Sequence, residues 1–218
     1  MLKSKKNVFW EALLVTIIIF VLGIFLGIGF EKRNINVVED YYAKSEVSMM
    51  DMFVLQNLIN TGDYDCEMVI ESTLQFADKI YEEAVLLEAY EEPNVLTQGV
   101  VLSHQKYDLL RAFVWVNSLE ISKKCSGDFV PVVYLYEYNT KEVRKKATQE
   151  VWSRILGDIK EEYGSEIVLI PIAVDNGLSS VDVLVSKYSL ENFPAIVVGE
   201  NTLNELNSAD DLKKYLKK

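Results

Sequence analysis

Lys187-Tyr188-Ser189-Leu190-Glu191-Asn192-Phe193-Pro194-Ala195-Ile196-Val197-Val198 is the stretch on which the reading of the fold turns. Pro194 fixes its own φ and pushes Phe193 toward extended backbone, so no helix runs through this point. Ala195-Ile196-Val197-Val198-Gly199 is then an apolar run that reads as a buried strand. Upstream, Ser180 to Tyr188 reads as a short helix capped by Ser179 or Ser180. Before it, Asp175-Asn176-Gly177 is a turn, and Glu166 to Val174 is a second apolar strand. Lys141 to Tyr163 reads as a helix, with Val143, Ala147, Val151, Ile155, Ile159 and Tyr163 at i, i+4 spacing. Phe129-Val130-Pro131-Val132-Val133-Tyr134-Leu135-Tyr136 is the first strand. Downstream, Gly199 to Asn201 turns the chain into a short fourth strand, Thr202 to Leu206. Ser208 then caps a terminal helix, with Asp211 completing an acidic capping box. The order is β-α-β-α-β-β-α.

Residues 37–123 read differently, as helix broken twice. The first helix, Val38 to Asn60, carries Val38, Tyr41, Tyr42, Met49, Met52, Phe53 and Ile59 at helical spacing, and Thr61-Gly62-Asp63 ends it. The second, from about Asp65 to Glu91, places Val69, Ile70, Leu74, Ala77, Tyr81, Ala84 and Leu87 down one side, and Glu92-Pro93-Asn94 breaks the chain again. The third, from about Leu96 to Lys123, buries Val100, Tyr107, Leu110, Phe113, Val114 and Ile121, with Lys123 and Lys124 in its last turn, where cations suit the helix dipole. Short connections make sequential helices antiparallel, which predicts a three-helix layer. That arrangement brings together Cys66, at the start of the second helix, and Cys125, just after the third. A structural disulfide is the simplest reading of the pair, and a redox-active pair is the alternative.

Ahead of these helices, Ala12 to Phe30 is a run of 19 residues without a formal charge. At about 1.5 Å per residue it spans roughly 28 Å, close to the hydrocarbon thickness of a bilayer. Lys3, Lys5 and Lys6 precede it and Trp10 sits at headgroup level, so the expectation is an uncleaved single span, about Val8 to Phe30. The amino terminus is then cytoplasmic, the protein lies in the cell membrane and its bulk is extracytoplasmic. A cleaved signal peptide is the rival, with Gly27-Ile28-Gly29 as its only small-x-small site. Gly23 and Gly27 form a small-xxx-small pair of the kind that supports a homodimer within the membrane. The 218-residue chain carries a net charge of −11, and residues 31–218 carry −13. An excess of acid on this scale is unsuited to nucleic acid or to anionic lipid. Two cysteines and one histidine are too few for a Cys/His zinc site.

The strand order and the Lys187–Val198 stretch together resemble the thioredoxin-like superfamily. Tyr188, with Leu190 two residues on and Pro194 opening an apolar strand, is similar to the signature of that family, and Val174-Asp175 matches the Val-Asp at the end of its second strand. The resemblance covers about residues 129–218. It implies a thioredoxin-like domain over 127–218, which with the anchor and flanks at residues 1–33 and the helical region at 34–126, both read from the residues above, gives an α/β chain in three segments. It also implies that Pro194 follows a cis bond and that Phe193 offers a backbone edge to an extended peptide. Tyr138, Asn139 and Thr140 occupy the turn where the family's oxidoreductases carry Cys-x-x-Cys. Tyr138-Asn139-Thr140-Lys141-Glu142-Val143-Arg144 holds no cysteine, hence no thiolate for disulfide exchange. Thr140 reads as a helix cap. Tyr134, Tyr136 and Tyr138 alternate onto one strand face, half-buried or lining a groove beside Pro194.

Other chemistry is thin. His104 lies mid-helix without a nucleophile in pattern, pairs such as Glu82-Glu83 and Glu91-Glu92 read as solvated helix faces, and no phosphate-loop or dinucleotide fingerprint occurs. The expected function is that of a membrane-anchored, redox-inactive binder of a peptide segment or partner protein, chaperone-like or an assembly module, with no cofactor and no metal. Two alternatives stay open. One is a divergent thiol–disulfide oxidoreductase using Cys66 and Cys125. The other is a structural subunit of a membrane complex, which a large exposed apolar patch on the helical layer favours.

Overall fold

The computed structural model describes residues 5–62, 64–88, 98–125 and 129–216. The chain divides into two compact units, residues 1–47 and 48–218. The first helix, α1 (Lys5–Thr61), begins in the first unit and ends in the second. Its stretch Phe9–Gly27 is 19 residues long with mean hydropathy 2.6 and nothing packed over it, long and apolar enough to cross a membrane.

In the second unit, α1 ends at Gly62, whose φ of +82° is left-handed backbone that favours glycine. Asp65 then caps α2 (Cys66–Glu88), its Oδ1 accepting the Glu67 N–H at 2.9 Å. α3 spans Gln98–Cys125 and lies against α2. Cys125 is therefore the last residue of α3 rather than the residue after it. It is joined to Cys66 by a disulfide with Cα atoms 5.4 Å apart.

The strands are β1 (Val130–Tyr136), β2 (Ile167–Ala173), β3 (Ala195–Val198) and β4 (Asn201–Leu203). They form one sheet in the order β2-β1-β3-β4. β2 runs parallel to β1, whereas β3 is antiparallel to both β1 and β4. Between them run α4 (Val143–Tyr163), a single 3-10 turn at Gly164–Glu166, and α5 (Ser179–Lys187); α6 (Ala209–Leu216) closes the chain. Val132, Tyr134, Ile196 and Val198 project from one face of the sheet into a core with Trp152, Leu156 and Ile159 of α4 and Leu212 of α6. α3 covers the other face, lying on β1 and β2 and touching α5, with Trp115 wholly buried. Coverage on both faces explains why β1 is apolar without alternation.

Several sequence expectations change. α4 turns Val143 (83% exposed), Ala147 and Val151 to solvent; Ile159 is buried as expected, with Ile155 and Tyr163 packed beside the core, and Gln149, Trp152 and Leu156 are buried with it. The reason is geometric: a strict i, i+4 series advances about 40° per step around a helix, so it winds off any single face within three steps. Phe53 and Tyr81 are also exposed; Met52 and Ile59 are buried as expected, and Phe76 and Ile80, outside the expected stripe, are buried too. Neither Ser179 nor Ser180 caps α5: the N-cap is Leu178, with no side-chain bond. Glu142, not Thr140, occupies the N-cap of α4. At α6 the acidic half of the capping box is present, with Asp211 Oδ2 accepting the Ser208 N–H at 3.2 Å. Asp63 and the break at 92–94 lie outside the described residues, as do Glu91 and the side chains of Val38, Tyr41, Tyr42, Glu83, Ala84, Leu87 and Val100.

The free edge of β2 is closed by its own chemistry. Val174 N–H donates to Tyr136 O at 2.9 Å, so the even residues of β2 address β1 and the odd ones face outward. Of the outward groups, Ile167 O accepts from Lys160 Nζ at 3.0 Å, Pro171 has no N–H, and Ala173 N–H is taken by Asp108 of α3 at 3.1 Å. Proline and charged side chains are the ordinary means of keeping an edge strand from pairing with another chain.

Candidate functional site

The carboxyl ends of β1 and β2 and the entry to β3 converge on one rim of the sheet. β1 runs out at Tyr136, and the next residues are held by side chains rather than by a strand. Gln149 of α4 does most of this: its Oε1 accepts the Glu137 N–H at 2.9 Å and its Nε2 donates to Glu137 O at 3.0 Å. Its own backbone oxygen accepts from Tyr134 OH at 3.0 Å, deep in the core, where burial pushes the Tyr134 phenol well above its ordinary range. Gln149 therefore bonds residue 137 as a neighbouring strand would.

Tyr138 and Asn139 form the turn, and both of their N–H groups donate to the Asp175 carboxylate, at 2.8 and 2.7 Å. Asp175 thus staples the end of β1 to the turn after β2. Thr140 sits beside them, its Oγ1 accepting the Glu142 N–H at 3.4 Å, a local turn bond that precedes the helix. The Tyr134 and Tyr136 rings stack at 5.5 Å on one face, as alternation predicts. Tyr138 leaves that row, its ring meeting His104 of α3 at 4.0 Å.

α3 is fixed to the same rim by a buried carboxylate. Asp108, 1% exposed, accepts the Ala173 N–H through Oδ1 and the Asn176 side-chain amide through Oδ2, with Arg111 3.5 Å away. Gln105 adds a bond to Asn176 O at 2.7 Å. Burial pushes the Asp108 carboxyl up, and Arg111 with the Ala173 and Asn176 N–H groups pulls it back only in part.

The peptide bond between Phe193 and Pro194 is cis. Phe193 is half-buried and Pro194 buried. The register pairs Leu135 with Ala195, so Pro194 follows on beside Tyr136 at the end of β1. Phe193, Pro194 and the Tyr138–Thr140 turn are accordingly brought to one rim. Cys66 and Cys125 are not: Cys125 precedes the amino end of β1, a strand of seven residues that spans about 20 Å. Among the described residues no group of three His, Cys, Asp or Glu side chains is placed to hold a metal ion.

The sequence reading missed Asp108 and Gln149 and took Asn176 only as a turn residue, although each carries the rim. A signal existed for two of them, since Asp108 and Gln149 fall in phase with the buried stripes of their helices, where a polar side chain needs a specific partner. No family model matches the chain, and no curated protein matches it either.

Proposed function

We propose that residues 129–216 form a thioredoxin-like module without active-site thiols, tethered by the Phe9–Gly27 span with the amino terminus cytoplasmic, and that it binds an extended segment of a partner protein as a chaperone-like or assembly factor. The observation that carries this reading is the register of β1 and β3, which sets Phe193 and Pro194 beside the Tyr138–Thr140 turn at one rim. The sheet order and the cis bond before Pro194 support the same resemblance. Function then consists of pairing with backbone rather than of chemistry: the rim supplies Phe193 main chain, the half-buried Tyr136 ring and the stapled turn. With the β2 edge closed, a bound segment lies on the Pro194 side. The oxidoreductase alternative has less support, because Cys125, bonded to Cys66, precedes the amino end of β1, the end away from this rim.

One observation favours a second reading, a structural subunit of a membrane complex. Met50, Phe53, Val54 and Leu58 of α1 are all exposed and share one face at i, i+3, i+4, i+8 spacing. A single experiment separates the two readings. The full chain in neutral-lipid nanodiscs is mixed with a degenerate pool of ten-residue peptides, and amide exchange is followed. Protection of residues 136–140 and 193–196 supports the peptide-binding module. An unchanged rim overturns it.

A further inference from the structure

Resting on the peptide-binding reading, we infer that the segment taken at this rim is acidic. Among residues 141–146, Lys141, Arg144, Lys145 and Lys146 are basic and Glu142 is the sole acid. The local carboxylates do not neutralise the group evenly. Glu137 bonds Lys145 Nζ at 2.8 Å, and Glu142 acts electrostatically on that same lysine. Lys141, Arg144 and Lys146 are left without an ion pair among the described residues, and all three are exposed. Of the other nearby acids, Asp175 is occupied by the Tyr138 and Asn139 N–H groups, and Glu150, four residues after Lys146 on α4, forms no ion pair with it.

The surplus is notable because residues 31–218 carry −13 and acid is easily found elsewhere: Lys123, Lys124, Lys160 and Lys213 each meet a carboxylate. Three unpaired cations follow the Tyr138–Thr140 turn within six residues along the chain. Val143, 83% exposed, lies among them and offers an apolar spot of one side chain. Arg144 and Lys146 are two residues apart on α4 and project to opposite flanks of the helix, with Lys141 ahead of it. Carboxylates at every second position of an extended peptide would fall on one side and so meet Lys141 and one of the two flanks. The occupant that fits is a protein segment rich in Asp and Glu. A net-acidic domain repels an anionic bilayer, which disfavours lipid headgroups as the occupant.

The test uses the full chain in neutral-lipid nanodiscs and three pools of ten-residue peptides, each randomised at five alternate positions and filled at the other five with Glu, Gln or Lys. One or two exposed ion pairs predict that the Glu pool binds about threefold tighter than the Gln pool at 50 mM salt. The gap should close at 500 mM salt. Changing Arg144→Glu together with Lys146→Glu should reverse the order of the Glu and Lys pools. Equal binding of all three pools overturns the acidic preference alone, and binding by none overturns the peptide-binding reading beneath it. If nanodiscs with anionic lipid bury Lys141, Arg144 and Lys146 and exclude the Glu pool, the membrane is the occupant and the inference falls.

Discussion

The Asp108 carboxylate of α3 accepts the Ala173 N–H of β2 at 3.1 Å, so at that point a side chain of the helix that covers one face of the sheet takes an edge donor a fifth strand would pair. The helical layer is therefore bonded into the rim at which Tyr138, Asn139 and Pro194 meet. α3 both shuts one edge of the sheet and orders the turn through Asn176.

Replacing Asp108 tests this bond. Asp108→Ala leaves Arg111, the Ala173 N–H and the Asn176 amide facing a buried void, and should lower unfolding stability by about 3–5 kcal/mol. The pH dependence has a definite sign. Burial raises the Asp108 carboxyl above its ordinary 3.8, so the folded chain holds this proton more tightly than the unfolded chain does. The contribution is complete below pH 3.8 and is lost as pH rises through the raised folded value. In urea titrations the advantage of the natural chain over Asp108→Asn should shrink from about pH 4 upward, and an advantage that grows with pH would contradict the assignment.

The Cys66–Cys125 disulfide closes a loop across a sequence separation of 59. Cys66→Ser with Cys125→Ser should lower stability by about 4 kcal/mol in the chain-entropy account. Differential alkylation titrated against glutathione buffers adds a second reading. A structural pair stays oxidised down to about −300 mV, whereas exchange near −200 mV would revive the oxidoreductase alternative.

The orientation of α4 is checked by neighbouring substitutions. Trp152 packs into the core and Val151 is 52% exposed, one residue away. Trp152→Ala should cost about 3–5 kcal/mol. Val151→Ala should stay within about 0.5 kcal/mol. Similar losses at both positions would restore the i, i+4 face.

Pro171 guards the outward edge of β2. Pro171→Val supplies an outward N–H and a β-branched side chain on an edge strand, which should promote self-association measurable by light scattering, with little change in the urea midpoint. A variant that stays as monodisperse as the parent would show that Lys160 and Asp108 close this edge by themselves.

The sequence by itself determined the elements and their order. The apolar span, the helices, the four strands and the place of Pro194 follow from local pattern, because backbone propensity and hydrophobic period act over a few residues. The span and the helix read from Val38 are, however, one unbroken helix, Lys5–Thr61. Proximity of Cys66 and Cys125 was legible too, since short connections force neighbouring helices to run antiparallel. The faces were less legible. On α4 the series from Val143 to Tyr163 and the series from Gln149 to Ile159 both have helical spacing, and only packing against Val132 and Tyr134 decides which is buried. The rim itself was decided by tertiary structure alone. Asp108 meets Ala173 and Asn176 across 65 and 68 residues, and Gln149 bonds Glu137 across a strand end. A buried polar group takes whichever partner the assembled fold sets before it, and its spacing along the chain carries no trace of that choice.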